Sequence, residues 1–184
     1  MEKSLETYFM QVKDHRRAQG RRWTLPQFLT MLSMASMSGA HGLREIADFF
    51  KSNAQDFIEL FGLKHGVPKL VCIRELLGKL DFESVSDAFA AWSSSVSGLE
   101  KGDFVALDGK SLGSTVTDWA SKRQDFVQIT SAFAHRTGAV IDQRRFRHKK
   151  VSEIISVREI VARLSGRGFV LTLDALHCQK KQPV

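Results

Sequence analysis

The first half of the chain carries apolar residues at the spacing of amphipathic helices. Between residues 5 and 92 they recur at steps of three and four, in segments separated by glycines and short polar stretches. Thr24 stands directly before the longest stripe and Pro26 falls in its first turn, two positions that favour the start of a helix. Another stripe begins at Leu43 and is expected to run as one helix to Gly62, a residue type that commonly ends helices. We therefore predict an all-helical region over residues 1–97.

A polar segment rich in serine and glycine follows the last helical stripe. Residues 94–102 are SSVSGLEKG, a composition typical of linkers and turns. We predict a domain boundary in this segment, with a helical domain over residues 1–97 and a second domain over residues 98–184.

The pattern changes to that of strands after this segment. Short apolar or alternating runs occupy residues 104–108, 126–135 and 139–146, and Gly138 separates the last two as in a hairpin. A helical stripe and a continuously apolar run, FVLTLD, complete the pattern over residues 152–165 and 169–174. The order strand, strand, strand, helix, strand predicts an antiparallel meander followed by a helical crossover to a parallel strand. The predicted fold class is α+β.

The charge of the chain is positive and unevenly distributed. Residues 1–100 hold 12 basic and 12 acidic side chains, whereas residues 101–150 hold 10 basic and 5 acidic side chains, a net charge of +5. Such an excess indicates a polyanionic partner such as nucleic acid, although an ordinary basic protein is the alternative. Two cysteines, no apolar run of membrane length and no signal-like N-terminus predict a cytoplasmic protein with no membrane partner.

Two aspartates end predicted strands in equivalent positions. Asp108 closes the run FVALD and Asp174 closes the run FVLTLD. The predicted crossover brings these strands side by side, about 4.8 Å apart, so that the two carboxylates could share a hard cation. Oxygen ligands suit Mg²⁺ or Mn²⁺. The alternative is that each aspartate only begins a turn.

Basic residues lie at the end of the third predicted strand and directly after it. They are Arg144, Arg145, Arg147, Lys149 and Lys150. Strand alternation places Arg145, Arg147 and Lys149 on one face and the others on the opposite face. Contact with DNA phosphates is one interpretation, and a solvated hairpin end is the other. The arginines at positions 16, 17, 21 and 22 form a second candidate cluster.

Several separated motifs resemble one family. They are LDGKSLGS (107–114), VQITSAF (127–133), KVSEI (150–154) and LTLDALHCQ (171–179). Together they resemble the H-repeat-associated transposases of bacterial insertion sequences, members of the DDE transposases, whose catalytic core is RNase H-like. The segment RRWTLPQFLTMLSMASMSGAHGLREIADF resembles the N-terminal associated domain of the same family. The resemblance covers nearly the whole chain.

The resemblance implies roles for individual residues. Asp108 and Asp174 match the first and second catalytic acids, which hold the metal ions, and Lys110 matches a residue that follows the first acid. The implied function is metal-dependent DNA cleavage and strand transfer at insertion-sequence ends. Gly113 stands where the family usually has arginine.

The third acid of the family, a glutamate downstream of the second, has no counterpart in this sequence. We therefore expect an incomplete RNase H-like core of the order β-β-β-α-β, weak or absent binding of Mg²⁺ or Mn²⁺, and a truncated, inactive transposase product. The alternative is a non-catalytic DNA-binding or regulatory remnant. Partial exposure of Ile155, Val157 and Phe169 is also expected, with self-association as its consequence.

Overall fold

The computed structural model describes residues 4–116, 125–147 and 153–173. The chain divides into two compact units, Met1–Ala88 and Phe89–Val184, called here the N-terminal and C-terminal units. The predicted domain bounds, 1–97 and 98–184, stay a prediction, and the division between the units falls earlier, inside a helix.

Six helices precede the first strand within the described residues. They are α1 (Leu5–Phe9), α2 (Leu25–Met37), α3 (Leu43–Ser52), α4 (Ala54–Phe61), α5 (Leu70–Gly78) and α6 (Phe82–Val96). The Thr24 hydroxyl accepts from the Gln27 backbone and the Gln27 side chain accepts from the Thr24 backbone, so α2 begins where the sequence predicted. The single helix expected over residues 43–62 is wrong, because Asn53 leaves helical geometry and separates α3 from α4.

Aromatic side chains form the centre of the N-terminal unit. Phe28, Phe50 and Phe57 are at most 2% exposed. The Phe50 ring meets the rings of Phe28 and Phe57 edge to face, with centroids 6.4 and 5.8 Å apart. Helices α2, α3 and α4 each supply one of these rings, so the core joins the apolar stripes of successive helices.

The serine-rich end of α6 continues the helix through Val96 rather than forming a linker. Ser93 is buried and its hydroxyl donates to the Val140 carbonyl at 2.8 Å. The Ser95 hydroxyl donates to the Trp92 carbonyl within the helix. Serine is tolerated in this helix because its hydroxyls donate hydrogen bonds to backbone carbonyls. The serine-rich composition alone does not show these bonds, so it predicted a linker.

The described part of the C-terminal unit contains a mixed four-stranded sheet, one further α-helix and a short 3-10 helix at Gly113–Thr115. Its elements are β1 (Phe104–Leu112), β2 (Val127–Ala134), β3 (Ala139–Arg147), α7 (Glu153–Leu164) and β4 (Val170–Thr172). The strand order is β3-β2-β1-β4, with β1, β2 and β3 antiparallel in sequence and β4 parallel to β1. The predicted α+β class, with a meander and a helical crossover, is confirmed.

Helix α7 covers one face of the sheet. Val105, Leu107, Ile141 and Ile160 are buried there. Val157 is only 1% exposed and belongs to this core, so its expected exposure is wrong.

The opposite face of the sheet is more open. Phe104, Phe133 and Val170 are 54%, 40% and 44% exposed. Ile155, on α7, is 46% exposed, as expected. Phe169 is half-buried and packs against the core. No helix among the described residues is both long and apolar enough to span a membrane.

Candidate functional site

Asp108 lies on β1 with its side chain on the open face of the sheet. Val105 and Leu107 face α7 and are buried, so alternation places Ala106, Asp108 and Lys110 on the opposite face. Both Asp108 and Lys110 are exposed. Asp108 pairs with Ser131 across β2. Both side chains are therefore accessible from solvent on the same face of β1.

The parallel pairing of β1 with β4 ends just before the two predicted acids. Phe104 pairs with Val170 and Ala106 with Thr172. In the sequence, Asp108 follows Ala106 by two residues, and Asp174 follows Thr172 by two residues. Asp174 itself lies outside the described residues. Both strands thus approach the two aspartates in the same direction and in matching register.

Two of the predicted DNA-contacting arginines share the face of Asp108. Ile129 on β2 pairs with Lys110 on one side and with Arg145 on the other. At about 4.8 Å between strands, the Lys110 and Arg145 backbones are roughly 10 Å apart. Arg147 pairs with Val127 on the same face, and both arginines are exposed. The open face therefore carries a row of cations beside Asp108.

The remaining predicted cations are placed differently. Arg144 pairs with Thr130, which is fully buried, and is itself half-buried on the α7 side of the sheet. Lys149 and Lys150 lie outside the described residues. Arg147 forms an ion pair with Asp125 at 3.2 Å, so part of its charge is already balanced.

Polar contacts on the α7 side hold the helix against the sheet. The hydroxyls of Thr130 and Ser156 lie 2.8 Å apart in the interior. The Arg163 guanidinium donates to the buried Asp142 carboxylate at 2.7 Å. Sequence reasoning missed these residues because their roles depend on the register of β2 and β3. They support the strands that carry the open face.

The described residues do not by themselves complete a metal site. Among residues 4–116, 125–147 and 153–173, no three His, Cys, Asp or Glu side chains converge on a position that could hold a metal ion. Asp108 offers carboxylate oxygens, the donor type that Mg²⁺ and Mn²⁺ prefer. The donor chemistry therefore fits, and a complete site requires further ligands such as Asp174.

The helical half of the chain is similar to a known protein family. Residues 6–93 match the DDE_Tnp_1-associated family. This match confirms the resemblance drawn from the segment around α2 and α3.

Relatives extend the similarity along the chain. It is 27% identical over 179 residues to "H repeat-associated putative transposase YhhI" of Escherichia coli strain K12, covering 97% of this chain and 46% of that protein. It is also 27% identical over 179 residues to "H repeat-associated putative transposase YbfD" of the same strain, covering 97% of this chain and 69% of that protein. "Putative transposase YncI" of Escherichia coli O157:H7 is 25% identical over 177 residues, 96% of this chain and 45% of that protein. The chain thus spans about half the length of the first and third of these relatives.

Within residues 6–93, the arginines around Gly20 have two different roles. The Arg16 guanidinium donates to the Asp14 carboxylate and to the Trp23 carbonyl, each at 2.9 Å. Arg21 lies 3.4 Å from the same carboxylate. Burial raises the pKa of Asp14, but the hydrogen bonds from Arg16 outweigh burial and leave the pKa below its ordinary value. Arg16 and Arg21 therefore stabilise the connector between α1 and α2.

The other two arginines of this cluster, Arg17 and Arg22, are exposed. They keep the DNA-contact interpretation open for this part of the chain.

A further ion pair fixes the start of β1 in the C-terminal unit. Arg136, in the β2–β3 turn, donates to both oxygens of Asp103 and to the Gly98 carbonyl. Hydrogen bonds from Arg136 and from the Glu100 backbone lower the pKa of Asp103 to about 2. The start of β1, the strand that carries Asp108, is thus anchored by this ion pair.

Proposed function

We propose that the chain supplies part of the catalytic core of a transposase that cleaves DNA and transfers its strands. Relatives named as transposases, aligned along nearly the whole chain, support the class of function. The order β-β-β-α-β, with β4 parallel to β1, supports an RNase H-like core. In this proposal the DNA partner is the end of an insertion sequence.

The observation that carries the proposal is the register of β1 and β4. The pairs Phe104–Val170 and Ala106–Thr172 keep a constant offset. If the same offset continues for two residues, Asp174 stands beside Asp108 on the open face. Neighbouring strands are about 4.8 Å apart, a spacing at which two carboxylates can share one cation.

Asp108 and Asp174 would hold Mg²⁺ or Mn²⁺, which would activate a nucleophilic oxygen and stabilise the charge that develops on the phosphate. The nucleophile is a water and then a DNA 3′-hydroxyl, so no protein nucleophile is required. Lys110 and Arg145 lie on the same face, on β1 and β3, and would bind phosphates on the side of the reacting group away from β4. Their exposure leaves the face accessible to a DNA backbone.

Binding of Mn²⁺ tests the proposal directly. Electron paramagnetic resonance of free Mn²⁺ measures how much ion the protein removes from solution. Asp108→Asn and Asp174→Asn should each abolish this uptake, because two carboxylates already bind such an ion weakly. Asp48→Asn, which changes an exposed aspartate on α3, is the matched control and should leave uptake unchanged.

The same titration separates the proposal from a non-catalytic DNA-binding role. The cations beside Asp108 favour that alternative, since they would bind DNA without any metal. Salt-sensitive DNA binding without Mn²⁺ uptake would support it and reject the catalytic site. Uptake that persists in both Asp108→Asn and Asp174→Asn would place the metal elsewhere and contradict the proposal.

A further inference from the structure

The N-terminal unit contains a pocket of about 410 Å³ between the connector after α1 and helix α5. Its lining residues come from two stretches of chain, residues 13–25 and 72–80. The volume lies near the lower end of the range for small-molecule sites, roughly 300–1,000 Å³. A single small group fits such a pocket, whereas a partner helix would need an extended groove.

The floor of the pocket is apolar. Trp23 and Leu25 are buried, and Cys72, Leu76 and Leu80 are half-buried. These side chains offer a surface for a flat or apolar group, with no charge among them.

Hydrogen bonds hold one wall of the pocket in place. The Trp23 indole donates to the Gly66 carbonyl at 2.6 Å. The half-buried Arg16 is tied to Asp14 and to the Trp23 carbonyl. A wall fixed in this way needs little reorganisation when a ligand enters, which lowers the cost of binding. Arg16 is also one of the residues that line the pocket, and aromatic bases stack on arginine guanidinium groups in nucleic-acid complexes.

The rim of the pocket is basic. Lys13, Arg17 and Lys79 line it and are exposed, together with His15 and Glu75. The other carboxylate that lines the pocket, Asp14, is paired with Arg16 and Arg21. Within the part of the chain that the structure describes, Lys13, Arg17 and Lys79 form no ion pair. An anionic group at the rim would therefore meet three positive charges and one negative charge.

We propose that this pocket binds a nucleotide, with the base on the apolar floor and the phosphate at the Lys13–Arg17–Lys79 rim. A fatty acid would match the charge but not the guanidinium wall, and a sugar phosphate would leave the apolar floor empty. The nucleotide is either a free mononucleotide or an unpaired nucleotide of a DNA strand. The second source rests on the proposed function, since it takes DNA as the partner.

Cys72 offers a built-in probe, because its thiol lines the pocket. Iodoacetamide labelling of the full chain, read by mass spectrometry of the Cys72 peptide, measures occupancy without any mutation. Deoxyadenosine monophosphate should slow the labelling about tenfold at ten times its Kd. Adenosine, which lacks the phosphate, ribose 5-phosphate, which lacks the base, and octanoate, which is only a carboxylate on an apolar chain, should each protect far less. Equal protection by octanoate or ribose 5-phosphate would overturn the proposal.

Variants at the rim test the phosphate contact. Arg17→Gln and Lys79→Gln should each weaken protection about tenfold, the loss expected for a charge-assisted hydrogen bond. Lys51→Gln removes an exposed charge from α3 outside the pocket and should have no effect. Thermal melting of each variant shows whether it remains folded. Unchanged protection in folded Arg17→Gln and Lys79→Gln would contradict the proposed rim.

DNA probes then separate the two sources. A duplex with one extrahelical nucleotide should protect Cys72, whereas the fully paired duplex should not, if the source is a DNA strand. Protection by the mononucleotide but by neither duplex assigns the site to free nucleotide. Absence of protection by every nucleotide probe, or protection by an acidic peptide alone, overturns the pocket proposal. Fluorescence anisotropy of the fully paired duplex, measured in the same samples, reports the DNA binding that the proposed function assigns to the C-terminal unit. Failure of the pocket proposal is therefore distinguishable from failure of the proposed function.

Discussion

Arg145 and Arg144 are adjacent in sequence but lie on opposite faces of β3, which allows a sharp test of the DNA surface. Arg145 is exposed on the face of Asp108, and Arg144 is half-buried on the α7 face. We predict that Arg145→Gln weakens the salt dependence of DNA binding and that Arg144→Gln does not. Glutamine keeps a polar side chain while removing the charge.

The magnitude follows from the number of phosphates that each side chain can reach. One phosphate contact contributes about 0.9 to the slope of log K against log salt, so Arg145→Gln should lower the slope by up to about 0.9. Between 50 and 200 mM KCl this equals an affinity change of about 3.5-fold. Arg147→Gln should lower the slope by less than about 0.9, because Asp125 already neutralises part of the Arg147 charge at 3.2 Å.

Fluorescence anisotropy of a labelled duplex over a series of KCl concentrations measures the slope. Arg144→Gln is the matched control on the same strand, and its expected effect is a lower melting temperature without a change of slope, because it contacts the protein interior. A slope lowered equally by Arg144→Gln and Arg145→Gln would refute the assignment of the DNA surface to the open face. An unchanged slope in Arg145→Gln would assign that arginine to a solvated hairpin.

Three further predictions concern stability. Arg163→Ala should lower the free energy of unfolding by about 1–3 kcal/mol, the cost of leaving a buried polar group unsatisfied. The group left behind is the Asp142 carboxylate, which is 4% exposed, whereas Arg163 is 40% exposed and already partly solvated. Urea unfolding measures the loss, and no loss would show that water replaces the guanidinium. The hydrogen bonds that lower the pKa of Asp103 from 3.8 to about 2 stabilise the fold above pH 3.8, and this contribution is lost as the pH falls through 2. Melting temperatures between pH 5 and pH 2 should therefore fall less steeply in Asp103→Asn than in the wild type, and equal slopes would contradict the ion pair with Arg136. Phe50→Ala should cost about 3–5 kcal/mol by circular dichroism during urea unfolding, and a loss below about 1 kcal/mol would show that the core closes around the deleted ring.

The strands and the crossover helix could be predicted because strands and helices each have a characteristic spacing of apolar residues. Continuous apolar runs and the Gly138 turn indicated β1 to β3, and the stripe of α7 between strands indicated a parallel β4. The capping box of α2 likewise lies within four consecutive residues. Local patterns of this kind are set by neighbours in sequence, so composition and spacing are enough to read them.

The open face of the sheet could be predicted only in part. Alternation correctly separated Arg144 from Arg145, but the sequence gives no register, so the alignment of Lys110 with Arg145 across Ile129 required the structure. The roles of Asp14 and Arg16 were missed for the same reason, since their network closes through the Trp23 backbone. A cluster of basic residues in the sequence does not show which of them form ion pairs or hydrogen bonds within the chain and which are exposed to solvent.

The central claim is that Asp108 and Asp174 share one metal ion, and iron-directed cleavage of the protein tests it most directly. Fe²⁺ that replaces Mg²⁺ is oxidised by added hydrogen peroxide, which yields hydroxide and a hydroxyl radical. The radical cuts the backbone near the ion, and mass spectrometry locates the cuts. The account predicts cuts close to both Asp108 and Asp174, suppressed by excess Mg²⁺ and absent from Asp108→Asn. Cuts near only one of the two aspartates, or an unchanged pattern in Asp108→Asn, would contradict a shared site.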